Sequence, residues 1–299
     1  MSKKKEESIV RAEIKTDSRK KGILFILLAA FFFCLMSVFV RLSGDVPTMQ
    51  KAFFRNIVAA AVAIVILLRS GQRVTVKKES LLPLILRSAF GTAGILSNFW
   101  AVDHLGIADA NMLNKLSPFF AILMSIFILG EIPNRIEWLS VLLAFIGAAF
   151  VAKPSSGIVS FPALIGIFGG FSAGTAYTFV RRLGLQGVKG PIVVAFFSIF
   201  STLVLLPNFL MNYQPMSVLQ LVFLILAGCA AAGGQLSVTA AYQHAPARDI
   251  SVFDYSQVIY AAAFGILLFG ELPDVWSLIG YVIIIGTAFT KWYLVTQRS

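Results

Sequence analysis

Lys115, in ANMLNKLSP, and Asp254, in ISVFDYSQV, are ionisable residues that fall inside apolar runs of this 299-residue chain. A charged group is expensive in hydrocarbon and persists only where water, a partner or a ligand compensates it. A lysine can hold an anionic group; an aspartate can hold a cationic group or a proton. Together they suit a zwitterion. Arg55, in QKAFFRN, is a third such group, about two turns into its run and nearer the surface. Asn98, Trp100, Asn114, Tyr177, Gln235, Tyr255, Gln257 and Tyr260 complete the candidate substrate-binding set, with Ser172 and Ser256 as further wall candidates. The competing reading is structural, an ion pair or a snorkelled side chain.

The elements that carry these residues follow from composition. Hydrophobic residues make up 58% of the chain and charged residues 13%, and mean hydropathy is +0.85. A soluble domain carries about 25% charged residues. The apolar residues come in runs of roughly twenty, the length of a helix that crosses a bilayer core. Ten runs are expected as helices: 22–41, 48–68, 80–102, 107–129, 136–152, 158–180, 190–210, 217–242, 249–269 and 275–294. Backbone groups in lipid must bond internally, so helices are the form these runs take. The intervening loops are too short for a soluble domain. The expected fold is all-α and integral to the membrane.

Residues 1–21 read as a disordered N-terminal tail rich in both charge signs, and 295–299 as a short C-terminal tail. LFILLAAFFFCLMSVFV lacks a small-x-small cleavage site and reads as an uncleaved first span. The net charge of +11 is placed asymmetrically. Eight Lys/Arg lie in the tail, and Arg69, Arg73, Lys77, Lys78, Arg181, Arg182, Lys189, Lys291 and Arg298 follow on the same side. Arg41, Lys153 and Lys51 are left for the other. The positive-inside rule then puts both termini in the cytoplasm of a multi-pass cell-membrane protein. These basic residues orient the chain and meet anionic lipid; nucleic acid is not an expected partner. Cys34 and Cys229 lie within apolar spans and are expected to be packed rather than bridged.

ILGEIP at 128–133 returns as LFGELP at 268–273. Shifted by 140 residues, Gly94 falls on Gly234, Ser97 on Ser237, Asp109 on Asp249, Ala121 on Ala261 and Glu131 on Glu271. The two histidines, His104 and His244, coincide, and Phe39-Val40-Arg41 falls on Phe179-Val180-Arg181. Composition bias aligns Leu with Leu; it does not align lone histidines and GE-x-P together. The chain therefore reads as two five-helix repeats, 22–153 and 154–294. Five crossings return the chain on the far side, so the repeats are inverted, a recurrent plan of secondary transporters.

FWAVDHLGIADANMLNKLSPFFAILMSIFILGE, its partner at 239–271 and the glycine pattern after each GE-x-P resemble the drug/metabolite transporter superfamily, and within it the ten-span EamA-domain members. The resemblance covers about residues 22–294. It implies a central cavity lined by helices 1, 3, 4, 6, 8 and 9, with 5 and 10 closing the edge. Members move amino acids, nucleotide conjugates, cofactors or their precursors, several as exporters. Pro133 and Pro273 depart from a position where many members are polar, which concerns the turn only.

In GE-x-P, Gly130 and Gly270 suit helix C-caps, Pro133 and Pro273 the first position of the next helix, and Glu131 and Glu271 a helix N-terminus. A structural corner is favoured over gating. His104 and His244 are expected to cap or pack at turns, Asp103 and Asp109 to be solvated, and Gly166, Gly170 and Gly174 to let helix 6 pack closely enough to slide. No phosphate-binding loop, metal-ligand spacing or activated nucleophile is present, so no cofactor, metal or enzymatic activity is expected. The function expected is secondary transport of a small polar or zwitterionic metabolite, amino-acid-like or cofactor-like, by alternating access. Proton-coupled export and exchange both fit Asp254; uptake or antiport of a nucleotide-like or adenosyl compound is the alternative. A membrane-embedded enzyme, a channel, a receptor or a scaffold are the non-transport readings. The partners expected are a small-molecule substrate, protons and lipid, with the chain a monomer or homodimer.

Overall fold

The structure, a computed structural model, describes residues 3–70, 76–105, 111, 113–152, 161–270 and 272–297. It is an all-α bundle: α1 (Lys3–Leu42), α2 (Thr48–Arg69), α3 (Lys78–Leu105), α4 (Ser117–Leu129), α5 (Arg135–Ala152), α6 (Phe161–Leu185), α7 (Gly190–Met211) and α8 (Val218–His244). A four-residue helix (Ala247–Ile250) and a 3-10 segment (Ser251–Tyr255) lead into α9 (Ser256–Phe269), and α10 (Val275–Gln297) completes the described chain. Eight of these helical stretches are long and apolar enough to cross a membrane; α4, with 13 residues, is shorter. Large apolar side chains such as Leu68, Phe127, Leu203 and Leu267 face outward, as a lipid-solvated bundle requires.

Several sequence expectations are corrected. The N-terminal tail is helical, α1 running without interruption from Lys3. The fourth and ninth runs are not continuous helices. Residues 115–116 form a turn ahead of α4. Pro118 lacks the N–H that would bond the carbonyl of Asn114, so a helix cannot run regularly through this point. Asp254 sits in the 3-10 segment ahead of α9. Cys229 is exposed on the outside of the bundle, whereas Cys34 is buried.

The corners are built as expected at the glycines and differently at the prolines. Gly130 and Gly270 take φ of 67° and 66° as left-handed caps. The helix that follows Pro133 is capped by Asn134, whose Oδ1 accepts from Glu137 N while Glu137 Oε2 accepts from Asn134 N. Asp274 likewise caps α10 through Ser277 N. Pro133 and Pro273 therefore precede the cap and are not the first helical residue; the cap needs an Asx side chain there. Glu271 and Asp109 lie outside the described residues, as does the Asp103 side chain.

Helix pairing follows small residues. α1 packs along α8 and α3 along α6; α2 pairs with α7, α5 with α10, α4 with α6 and α1 with α9. A Cβ on Gly170 would lie 2.8 Å from the Leu113 carbonyl oxygen, and one on Gly174 would lie 2.6 Å from that of Ser117 and 2.7 Å from Ala121 N. The glycine row thus brings the α6 backbone against the segment that holds Lys115.

Gly174→Ala is therefore expected to lower the unfolding temperature of the detergent-purified protein, with overpacking of about 1–3 kcal/mol. Gly286→Ala, where a Cβ meets nothing within 4 Å, should leave it unchanged or raise it.

Candidate functional site

The two interrupted helices meet at their interruptions. Lys115 Nζ lies 3.3 Å from Asp254 Oδ2 and donates to Gln257 Oε1 at 2.6 Å. The Tyr255 hydroxyl donates to the Lys115 carbonyl at 2.7 Å, satisfying a backbone oxygen at the turn. Continuous helices would hold the two groups about 10 Å apart along the bundle axis, at a rise of 1.5 Å per residue. Unwinding at both points closes it.

The pair borders a cavity of about 600 Å³, within the range of small-molecule sites. The cavity runs to Leu272 and Pro273, at the end of the bundle where α1, α3 and α9 finish. Asn98, Asn114, Tyr177, Gln235 and Gln257 line it with Lys115 and Asp254. Arg55 also lines it, rather than lying nearer the surface, and its Nε is buried without a hydrogen-bond partner. α2 and α7 contribute to the wall through Arg55 and Phe197, and α10 through Ser277 and Tyr281, in addition to the six helices expected.

Five candidates lie elsewhere. Trp100 stacks on His104 at 3.8 Å and meets Phe161 edge-on. Tyr260 packs edge-on against Phe31. Tyr255 is fully buried behind the ion pair. Ser172 is also fully buried; neither it nor Ser256 reaches the cavity wall. Each lies on the expected helix or, for Tyr255, on the 3-10 segment ahead of it, but off the cavity wall, a distinction that needs the helix rotation.

Arg87 was missed. It sits inside the third apolar run and is 1% exposed, so the rule that flagged Lys115 and Asp254 would have found it. Its Nη2 donates to Gln235 Oε1 at 3.0 Å, and its guanidinium carbon lies 4.0 Å above the Phe197 ring. A Cβ on Gly91 would collide with Arg87 Nη1; the glycine leaves the guanidinium its space.

The opposite end is closed. Arg181 Nε contacts Glu131 Oε1 at 3.2 Å, and Nη1 donates to the Gln243 carbonyl at 3.0 Å. Arg248 donates to the Ile132 carbonyl at 2.6 Å. Arg19 pairs with Asp249 at 2.7 Å and Lys291 with Glu137 at 3.8 Å. Gly184 abuts Gln243 and Gly22 abuts Ala245. Glu131 is thus more than a corner residue, tying the turn after α4 to α6. His104 and His244 behave alike, each ring Nδ1–H donating at 2.8 Å to the carbonyl four residues earlier.

The EamA-like transporter family matches the chain twice, over residues 20–153 and 160–290. The chain is 30% identical to the pseudopaline exporter CntI of Pseudomonas aeruginosa, over 90% of this chain and 95% of that protein. It is 26% identical to an uncharacterized transporter of Helicobacter pylori (88% and 92%) and to the human solute carrier family 35 member G1 (91% and 80%). One solved crystal structure aligns with a TM-score of 0.82 at 15% identity, over 92% of this chain and 98% of that one, a likeness of fold.

Removing one member of a buried ion pair costs about 3–5 kcal/mol where no water reaches it. Here the side chains keep 17% and 16% exposure, so a smaller loss is expected for Lys115→Met or Asp254→Asn alone. The double variant should recover most of it. Additive losses in thermal unfolding would show that the two charges are not coupled.

Proposed function

The chain belongs to the EamA-like transporter family, a multi-pass membrane protein that moves small molecules and not an enzyme, and we propose that it exports a small polar or zwitterionic metabolite across the cytoplasmic membrane by alternating access. The observation that carries this reading is an asymmetry of closure around one cavity. Under the 140-residue shift, α1 exchanges with α6 and α3 with α8. The pairs α1–α8 and α6–α3 then exchange, as do α4–α6 and α9–α1, while α2–α7 and α5–α10 map onto themselves. One pair departs from the rule most. α6 packs on α8 at the closed end, and among the described residues the equivalent α1 and α3 make no comparable contact at the open end.

In this reading residues 22–153 and 154–294 are two inverted five-helix repeats, flanked by tails 1–21 and 295–299. The contact between Lys115 and Tyr255, equivalent positions in the two halves, favours a pseudo-twofold axis passing close to them. The closed end is cytoplasmic, consistent with the basic residues gathered there, so the cavity faces outward. α3, α4 and α6 form one moving unit and α1, α8 and α9 the other. Rocking would replace the α6–α8 contact with an α1–α3 contact and open the cavity to the cytoplasm. An acid group of the substrate takes Lys115 and an ammonium takes Asp254, parting a pair that otherwise satisfies itself. A proton on Asp254 would part it too, which is how proton exchange could be coupled to the same step. Export is preferred over uptake because the relative that is 30% identical is an exporter.

Ser37 lines the cavity and offers the test. With Cys34 and Cys229 replaced by alanine, Ser37→Cys should react with an impermeant maleimide from either side of oriented vesicles. Glu131→Gln should raise the rate from the cytoplasmic side and lower it from the other, because loosening the closed end shifts one equilibrium. Reaction from the outside alone, at a rate indifferent to Glu131→Gln, would favour a static receptor or scaffold.

A further inference from the structure

The cavity is not electrically balanced. Four charged side chains line it among the described residues: Arg55, Arg87, Lys115 and Asp254. The single carboxylate is engaged with Lys115. Neither arginine forms an ion pair with any described carboxylate, and the Nε of each is buried without a hydrogen-bond partner. What Arg87 does contact, the Gln235 amide and the Phe197 ring, orients a cation without neutralising it. The space left by Gly91 and the ring above it hold the guanidinium in place. A guanidinium fixed in this way presents a fork that matches a carboxylate.

The charges are also segregated. Arg55, Arg87 and Lys115 come from the first half; the second half has Ala195, Ala227 and Tyr255 at the equivalent positions and supplies Asp254. A symmetric cavity would suit a solute with no preferred orientation. This one draws its three cations from one half and its one carboxylate from the other.

Building on the transport reading, we propose that the substrate is a small organic acid carrying at least two carboxylates, held by Arg55 and Arg87, with any ammonium group directed to Asp254. A simple monocarboxylate amino acid satisfies Lys115 and Asp254 and leaves both arginines bare. A second acid group is what guanidinium groups buried without a carboxylate partner require. The 600 Å³ volume admits two or three acid groups on one carbon skeleton.

The experiment is a thermal-unfolding screen of the full detergent-purified chain, since a ligand that binds the folded state raises its apparent stability. The probes are succinate, glutamate and citrate, set against acetate, glycine, O-phosphoserine, inorganic phosphate and sulfate. At least one di- or tricarboxylate should raise the unfolding temperature, and acetate and glycine should not. Arg55→Gln and Arg87→Gln should each weaken binding of the best such acid by about tenfold to a hundredfold, the range for a lost charge-assisted bond. Arg55→Lys and Arg87→Lys, which keep the charge and lose the fork, should fall between. If Arg87→Gln does not fold, the Arg55 variants and Arg87→Lys decide the matter. No shift with any di- or tricarboxylate overturns the proposal. So does stabilisation by the phosphate or sulfate probes alone, or an affinity for the acids that all the arginine variants preserve. Acid binding together with one-sided labelling of the Ser37→Cys variant would overturn the transport cycle and leave this proposal standing. Two-sided access without acid binding would do the reverse.

Discussion

Charge and broken backbone cannot be left in hydrocarbon without compensation, and most of the interior of this bundle answers to that requirement. Two helices lose their regular bonding at the same depth, one where Pro118 withholds an N–H and the other through a 3-10 segment. Each interruption exposes polar groups, and each is met by the other. The Tyr255 hydroxyl takes the Lys115 carbonyl, and the Lys115 ammonium takes Asp254 and Gln257. The glycine row on α6 then brings a third backbone against the same place. A junction satisfied largely by itself can close one cavity wall and still be opened by a ligand offering equivalent groups.

The same economy governs the ends. At the closed end, charged and polar groups bond to carbonyls across the gap: Arg181 to Gln243 and Arg248 to Ile132. These bonds are few and lie near water, so each is modest in net strength. That suits contacts that must form and break. The long pairings α1–α8 and α3–α6, built on glycine and alanine in close approach, behave as rigid units by comparison. In the proposed cycle, mobility is confined to the places where packing gives way to hydrogen bonds.

The helical, membrane-spanning class and most of the spans were legible in the sequence because length and hydropathy report the solvent directly. Lys115 and Asp254 stood out for the same reason, and Asn98, Asn114, Tyr177, Gln235 and Gln257 line the same cavity. What sequence could not supply was rotation and continuity. Trp100 and Tyr260 are polar-tipped aromatics on correctly placed helices, but hydropathy does not say which way they face. The break at residues 115–116 was signalled by Pro118, yet the 3-10 segment carrying Asp254 has no such mark. Arg87 was fully visible and was overlooked, although it obeys the criterion that found the others.

In the proposed cycle, two units of this bundle exchange which end is closed around one site. The most direct measurement is a pair of spin-label distances by pulsed electron paramagnetic resonance in lipid nanodiscs. Leu185 and His244 report the closed end; Asp45 and His104, their equivalents at the 140-residue spacing, report the open end. All four side chains are exposed. Alternating access predicts two populations in which the distances exchange, one end short when the other is long, with the balance moved by a bound substrate or by pH. A single distribution at each end, or two that lengthen and shorten together, would contradict it.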